Sequence, residues 1–386
     1  MKKIEFTAGP APMPDEVIEQ IDAATRDFLG TGMSVRSIPH RHPKVIDMTE
    51  ETIGLLREVY RVPKSHAVVL VPGGGSSQFK AAALNLIPFP NTRKPVIGHV
   101  DSGHWAQAAR AKRGLDDLEK AGVCSVRTVA STRGVQYRKV PHTWYEAVDE
   151  RLPIGCEAFV HITPNDTATG GQLRLSGIPV HRDYGIIADM SSELGTRVID
   201  VEQFDYIYAG AQKLAGETGV TIVIARKVLL QEDCLLLPGP LNVLAQVKSC
   251  GALFNTADIE AIYSVNLTTK WMLEQGGLAE MERRNREHAE FLYRMIDDHP
   301  SSFEGIVDPD SRSLVNVLFK TTNPNRHGEF ADMCEKAGIV GIGPYPGVAK
   351  LYEYGDHFRV SLYNARTMKE IGLFCSLMDE FHHRAR

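Results

Sequence analysis

The sequence predicts an α/β protein, a mostly parallel, doubly wound sheet followed by a smaller α+β unit. Three observations carry this. Short apolar, β-branched runs alternate with helical patterns from about residue 45 to 225, the rhythm of parallel strands joined by crossover helices. Several of these runs end in small, polar or charged residues, at the edge where such sheets bind ligands. The texture changes after Leu237-Pro238-Gly239-Pro240, where long helices take over. The expected division is an N-terminal arm over 1–15 packing with the small unit, a large unit over 16–257 and a small unit over 258–386.

The length of 386 residues suits one large domain plus a smaller one. Charged residues make up 24% and the hydrophobic set 43%, as in ordinary soluble proteins. A net charge of −5 without a strong acidic or basic block argues against nucleic acid or a membrane surface as partner. The cysteines (Cys124, Cys156, Cys234, Cys250, Cys334, Cys375) are scattered without a CxxC pair. Neither a metal site nor a disulfide frame is indicated, and a reducing, cytoplasmic location is expected. No apolar region follows Lys2-Lys3, and no run approaches the roughly 20 residues of a membrane helix.

The elements follow in order. Gly9-Pro10-Ala11-Pro12 and Pro14 predict an extended arm, because proline disfavours helix in its predecessor. Asp15 is the expected N-cap of a helix carrying Val17, Ile18, Ile21 and Ala24 on one face. A glycine-flanked loop leads to Ser37-Ile38-Pro39-His40-Arg41-His42-Pro43. Arg41 is there either solvated or part of an anion-binding corner, its fork gripping a carboxylate or phosphate. A helix is expected from about Lys44 to Tyr60, and a buried strand over His66–Val71. That strand runs into Pro72-Gly73-Gly74-Gly75-Ser76-Ser77-Gln78 and a helix over Phe79–Leu86. The glycine run is either a tight turn or a phosphate cradle, with backbone N–H groups and a helix N-terminus facing the anion. Its spacing matches neither a Walker A loop nor GxGxxG.

The strand Pro95–Val100 ends at Asp101-Ser102-Gly103-His104-Trp105, where Trp105 either packs as core or stacks on a planar ligand. Residues 106–121 read as one helix and Val126–Val129 as a strand. The strand Ala158–Thr163 precedes a polar cluster, Pro164-Asn165-Asp166-Thr167-Ala168-Thr169-Gly170. The run Tyr184–Ala188 closes on Asp189, either a turn residue or a carboxylate for a cationic ring nitrogen. Asp205–Tyr208 leads to Ala209-Gly210-Ala211-Gln212-Lys213. Lys213 is either a surface lysine or a desolvated amine, nucleophilic at neutral pH. Val220–Ile224 is a further strand. Helices over about Ile259–Gln275 and Leu278–Asp297 follow, then strands Val315–Phe319 and Phe358–Leu362. A last helix places Ile371, Phe374, Met378 and Phe381 on one face.

Four features thus stand at the ends of successive strands: the cradle Gly74-Gly75-Ser76, Trp105, Asp189 and Lys213. A flat, cationic, phosphorylated aldehyde uses all four, and pyridoxal 5′-phosphate is that molecule. The lysine would carry it, the aspartate would keep its ring nitrogen protonated, the tryptophan would stack on its face, and the cradle would take its phosphate.

The same residues carry a resemblance to a known family. The stretches are Phe6-Thr7-Ala8-Gly9-Pro10, His40-Arg41, Gly73–Phe79, Val100–Trp105, Pro164–Thr167, Ala188–Ser192, Ile207–Lys213, Phe254-Asn255-Thr256, and Arg359 with Tyr363-Asn364-Ala365. They run in order over nearly the whole chain. The sequence resembles the phosphoserine aminotransferases, class V aminotransferases within fold-type I of the pyridoxal-phosphate enzymes. The resemblance implies a ping-pong transaminase of serine biosynthesis, moving an amine from glutamate to a 2-oxo acid. It implies that Lys213 and Asp189 are the catalytic pair. Gly75, Ser76, Trp105, Thr167 and Gln212 would hold the cofactor. Asn255 and Thr256 would reach the cofactor phosphate of the other subunit, so that a homodimer shares its active sites. Arg359 would hold the substrate α-carboxylate, and His40 and Arg41 its distal phosphate.

Three departures are visible. Ala8 stands where the family has serine, and Leu214-Ala215-Gly216-Glu217-Thr218 follows the lysine in place of the usual asparagine pattern. Residues 341–358 contain no arginine, where the family has a His-Arg pair. Lys350 and His357 are the candidates to replace that pair. An alternative is therefore a same-family aminotransferase for another acidic, phosphorylated or phosphonate amino acid. A non-catalytic binding protein of this fold, and a cysteine desulfurase, are more remote alternatives.

Overall fold

The computed structural model describes residues 3–384 except 90, 92–93, 112, 153–156, 232–233 and 349–351. Lys350 and Cys156 lie outside the described residues.

After a short strand in the arm, β1 (Ile4–Glu5), seven strands build the main sheet. They are β2 (His66–Pro72), β3 (Val96–Asp101), β4 (Ser125–Ser131), β5 (Ala158–Ile162), β6 (Gly185–Asp189), β7 (Tyr206–Gly210) and β8 (Val220–Arg226). Their order is β2-β8-β7-β6-β5-β3-β4. Only β8 runs antiparallel to its neighbours; the pairs among β7, β6, β5, β3 and β4 are parallel. The C-terminal ends of β2, β3, β5, β6 and β7 therefore share one edge.

The apolar runs are continuous because both faces of the sheet are covered. Val68 and Leu70 enter the core on one face, and Val69 and Val71 the core on the other, as the two-residue period of a strand requires. The first of these cores also receives helix Pro43–Val59 and helix Ile259–Glu274, the latter through Ile259, Ile262, Val265 and Met272. The sequence reading began the small unit at 258, yet this helix packs with the sheet. Helix Gly277–Asp298 makes the passage: Leu278 and Met281 join the sheet's core, whereas Ala289, Leu292 and Ile296 join a third.

That third core holds an antiparallel sheet of β9 (Phe303–Gly305), β10 (Asn316–Thr321) and β12 (Phe358–Ser361), in the order β12-β10-β9. The arm joins it. Strand β1 pairs in parallel with β11 (Ile339–Val340), and Phe6 is fully buried beside Phe374. The last helix, Met368–His383, buries the predicted face and begins with a capping box between Thr367 and Glu370.

Two local expectations need correction. Asp15 is the first residue of its helix, with Pro14 at the cap position. The single helix expected over 106–121 is two, His104–Arg110 and Leu115–Lys120. Between them a side-chain carbon on Gly114 would stand 1.9 Å from the carbonyl oxygen of Ala109, so the chain turns back there in a way only glycine permits.

Candidate active site

The shared edge of the sheet opens on a cavity of about 240 Å³. Gly75, Ser76, Trp105, Thr167, Asp189, Gln212, Lys213 and Arg359 all line it. The first seven follow the ends of β2, β3, β5, β6 and β7, and Arg359 arrives from β12 of the small sheet.

Lys213 stands three residues beyond β7. Its Nζ donates to Thr167 Oγ1 at 2.6 Å and lies 5.5 Å from the centre of a Trp105 ring. The side chain keeps some access through the cavity, but the amine is enclosed. Burial lowers its pKa to about 8, against the opposing pull of Asp189 and Asp166. Asp189 closes β6 and is only 6% exposed. One of its oxygens accepts from Ser191 N at 3.0 Å and from Ser191 Oγ at 2.7 Å. Burial pushes its pKa up, while the Ser191 donors and the Lys213 charge pull it down. Asp189 thus makes a turn with Ser191 and also lines the cavity.

The glycine run forms a helical start, Gly75–Ser77 leading into helix Gln78–Leu86. A Cβ on Gly75 would stand 2.5 Å from Ser191 Oγ, so glycine is what lets this N-terminus approach the end of β6. Trp105 opens the next helix, its backbone N–H donating to Asp166 Oδ2 at 2.6 Å. Its ring packs edge-on against Tyr345 at 5.4 Å. Arg359 is 8% exposed; its Nη1 donates to Thr167 O at 3.4 Å, and burial lowers its pKa.

Four expected residues lie elsewhere on the chain. His40 is half-buried and Arg41 exposed, Asn255 half-buried and Thr256 exposed, and none lines the cavity. One ion pair links the segments that carry them: Arg36, four residues before His40, donates to both oxygens of Glu260, four residues after Thr256, at 2.6 and 2.8 Å. His357, a candidate for the missing His-Arg pair, is fully buried against Tyr354, with Nδ1 3.0 Å from Gly355 O, and it does not line the cavity.

Residue-level reasoning missed Asp166 and Tyr345. Asp166 is 1% exposed and also accepts from the N–H groups of Ala168 and Thr169 at 3.0 Å, so it fixes both Trp105 and the Thr167 loop. The polar run after β5 was a signal for it. Tyr345 sits in a loop without a local signal.

The sequence profile of the family described as Aminotransferase class-V matches residues 5–374. The chain belongs to the class-V aminotransferases. A phosphoserine aminotransferase from Bacillus cereus is 33% identical over 376 residues, covering 97% of each chain. The solved phosphoserine aminotransferase from Bacillus circulans subsp. alkalophilus superposes with a TM-score of 0.86 at 31% identity, over 99% of this chain and 98% of that one. A pyridoxal-phosphate-bound phosphoserine aminotransferase from Trichomonas vaginalis gives a TM-score of 0.84 at 27% identity, over 98% and 100%.

As a class-V aminotransferase the enzyme takes pyridoxal 5′-phosphate, and its cavity fits that group. Gln212 Oε1, Thr163 Oγ1, Trp105 Nε1 and Arg359 Nε are buried at or beside the cavity, with no partner among the described residues. Buried polar atoms of native proteins are normally bonded, and a polar, phosphorylated ring supplies partners. The helix start at Gly75 would take the phosphate, and the Lys213 amine lies over a Trp105 ring at 5.5 Å.

Proposed function

We propose that the enzyme transfers an amine between glutamate and a phosphorylated 2-oxo acid: 3-phosphohydroxypyruvate plus glutamate to phosphoserine plus 2-oxoglutarate. The observation that carries the reading is the meeting of Lys213, Asp189, Trp105 and Arg359 around one cavity at the sheet edge. The names of the similar proteins support the substrate.

Bound there, pyridoxal phosphate supplies an aldehyde that takes up the amine and a cationic ring that accepts electron density. Lys213 carries the cofactor and then, as a free amine, moves the proton at the substrate Cα. Thr167 fixes its position from 2.6 Å. Asp189 would hold a negative charge at the ring nitrogen. Trp105 would cover a ring face, the N-terminus at Gly75 and Ser76 would take the phosphate with Gln212 beside it, and Arg359 would grip the α-carboxylate by its fork.

Within this reading a second copy of the chain completes the site. The segments carrying His40 and Arg41 and carrying Asn255 and Thr256 are tied by Arg36 and Glu260, which supports one region that holds all four. A two-fold dimer would present that region to the partner's cavity and receive the same in return. Asn255 and Thr256 would then reach the cofactor phosphate, and His40 and Arg41 the distal phosphate of the substrate. The free cysteines Cys124, Cys234, Cys250, Cys334 and Cys375 suit a reducing compartment such as the cytoplasm.

One observation favours a second reading, an aminotransferase for another acidic or phosphonate amino acid: residues 341–358 contain no arginine. A half-reaction panel decides between the two. The loaded enzyme is mixed with phosphoserine, glutamate, alanine, aspartate and aminophosphonates, and its visible absorbance is followed. Conversion by both phosphoserine and glutamate is expected. Conversion by glutamate without phosphoserine overturns the substrate assignment and leaves the aminotransferase.

A further inference from the structure

Asp189 presents a physical problem. It is buried, which favours its neutral form, yet its proposed role beside a ring nitrogen requires a carboxylate. Ser191 satisfies one of its oxygens with two donors. On the two strands that flank β6 stand two further buried residues outside the cavity lining, Tyr208 and His161.

Tyr208 on β7 is the direct register partner of Asp189 on β6, so both side chains stand on one face of the sheet. Its phenol is fully buried, and after burial itself the Asp189 charge is the largest influence raising its pKa. On β5, His161 pairs in register with Ile187, two positions before Asp189 on β6, and approaches Tyr208 with Nε2 at 2.9 Å from Oη. The ring is 1% exposed, and burial holds its pKa down to about 3, so it is neutral. A neutral imidazole carries one proton. His161 Nδ1 has no partner among the described residues. A proton on Nδ1 would bury an unpaired N–H. A proton on Nε2 donates to Tyr208 and frees the phenol hydrogen for a charged acceptor, the stronger kind of bond.

We propose that His161 and Tyr208 are positioning residues: His161 Nε2–H donates to Tyr208 Oη, whose own hydrogen is directed to Asp189 and keeps that carboxylate ionised and fixed. Neither residue touches substrate or cofactor; both act through Asp189. The inference rests on the reading that Asp189 faces the ring nitrogen. Around this chain of groups the charges are Lys213 and Asp166 near Asp189, and Tyr206 near Tyr208. His99 stacks on His161 with centroids 6.4 Å apart and bonds through Nε2 to Ala106 O at 2.7 Å, leaving no proton for Nδ1 in its neutral form. Asp101, Arg110 and Asp116 act on His99 in turn.

The test uses the loaded enzyme and three readouts. Nitrogen-15 NMR of the histidine rings, assigned by comparison with His161→Gln, is expected to show His161 protonated at Nε2 across pH 6 to 9. A proton at Nδ1 overturns the relay. The second readout is the pH midpoint of the bound cofactor's visible absorbance. Tyr208→Phe and His161→Leu should each move it upward, on the order of half a unit. His161→Gln, which restores a donor close to the Nε2 position, should return it toward the wild type and so separates relay from packing. Unmoved midpoints in both Tyr208→Phe and His161→Leu overturn the proposal. The third readout is Asp189→Asn in the same titration. If it changes the absorbance while Tyr208→Phe does not, only the relay fails; if it changes nothing, the placement of Asp189 at the ring fails as well.

Discussion

Lys213, Asp189 and Gly75 stand at the ends of strands buried on both faces, whereas His40, Arg41, Asn255 and Thr256 stand on surface stretches joined by an exposed ion pair. The first group is positioned by sheet register: Asp189 opposite Tyr208, and β7 opposite β8 residue by residue. A shift of one residue there would turn every side chain to the other face. No such constraint acts on the second group, whose geometry within one subunit leaves it away from the cavity. The contrast teaches a division of labour. Chemistry common to a family sits where the fold is least adjustable. In the proposed function, recognition of the substrate's distal phosphate would sit where a second subunit and a few loops can change it.

The largest effects should therefore come from the sheet edge. Lys213→Ala is expected to lower kcat by at least about 1,000-fold, with the visible absorbance of the linked cofactor lost. Near-normal turnover in this variant would remove the lysine from the chemistry. The same residue sets a pH dependence. Its amine must be neutral to attack the cofactor aldehyde, and its pKa in the unloaded protein is about 8. The neutral fraction grows as pH rises. Capture of pyridoxal phosphate by the unloaded enzyme should speed up about tenfold per unit below pH 8 and level off above it. Stopped-flow absorbance between pH 6 and 9.5 measures this. A profile that keeps rising through pH 9.5 would mean that burial does not depress this amine.

How much of this was legible in the sequence divides along the same line. The strands announced themselves as β-branched runs. The residues just past them, Gly75, Trp105, Asp189 and Lys213, could be read as a set because a strand end is a definite place in an α/β fold. Asp166 showed only as one polar residue among several. Its weight comes from accepting the Trp105 N–H across 61 positions of sequence, which no local pattern reveals. Tyr345 reaches Trp105 from a loop more distant still. Strands β1 and β11 pair through only two residues each, too few to show a period. Helix Ile259–Glu274 looked like the start of a new unit because long helices begin there, whereas its burial against helix Pro43–Val59 returns it to the sheet's core. Its boundaries were a local property; its partner was not.

Smaller and more selective effects belong to the rim. Arg41→Ala should raise KM for phosphoserine by about 10- to 100-fold, the range for losing a charge-assisted hydrogen bond. The glutamate half-reaction should change by no more than about twofold, since glutamate carries no phosphate. Equal losses for both substrates would show that Arg41 does not read the phosphate and would weaken the shared-site dimer.

The smallest expected effect tests what holds the rim together. Arg36 and Glu260 connect the His40–Arg41 stretch to the helix after Asn255 and Thr256, but Arg36 is largely in water, its side chain 65% exposed. Exposed pairs contribute little and are screened by salt. Arg36→Ala should thus raise KM for phosphoserine only about two- to threefold, through a looser Arg41. Raising ionic strength screens phosphate recognition in both proteins. It should also weaken the pair in the wild type, so the ratio of the two KM values should fall toward one. Steady-state KM at low and high salt, for both proteins, reads this directly. A penalty as large as that of Arg41→Ala, and independent of salt, would mean that Arg36 itself enters the neighbouring site, placing an arginine where residues 341–358 supply none.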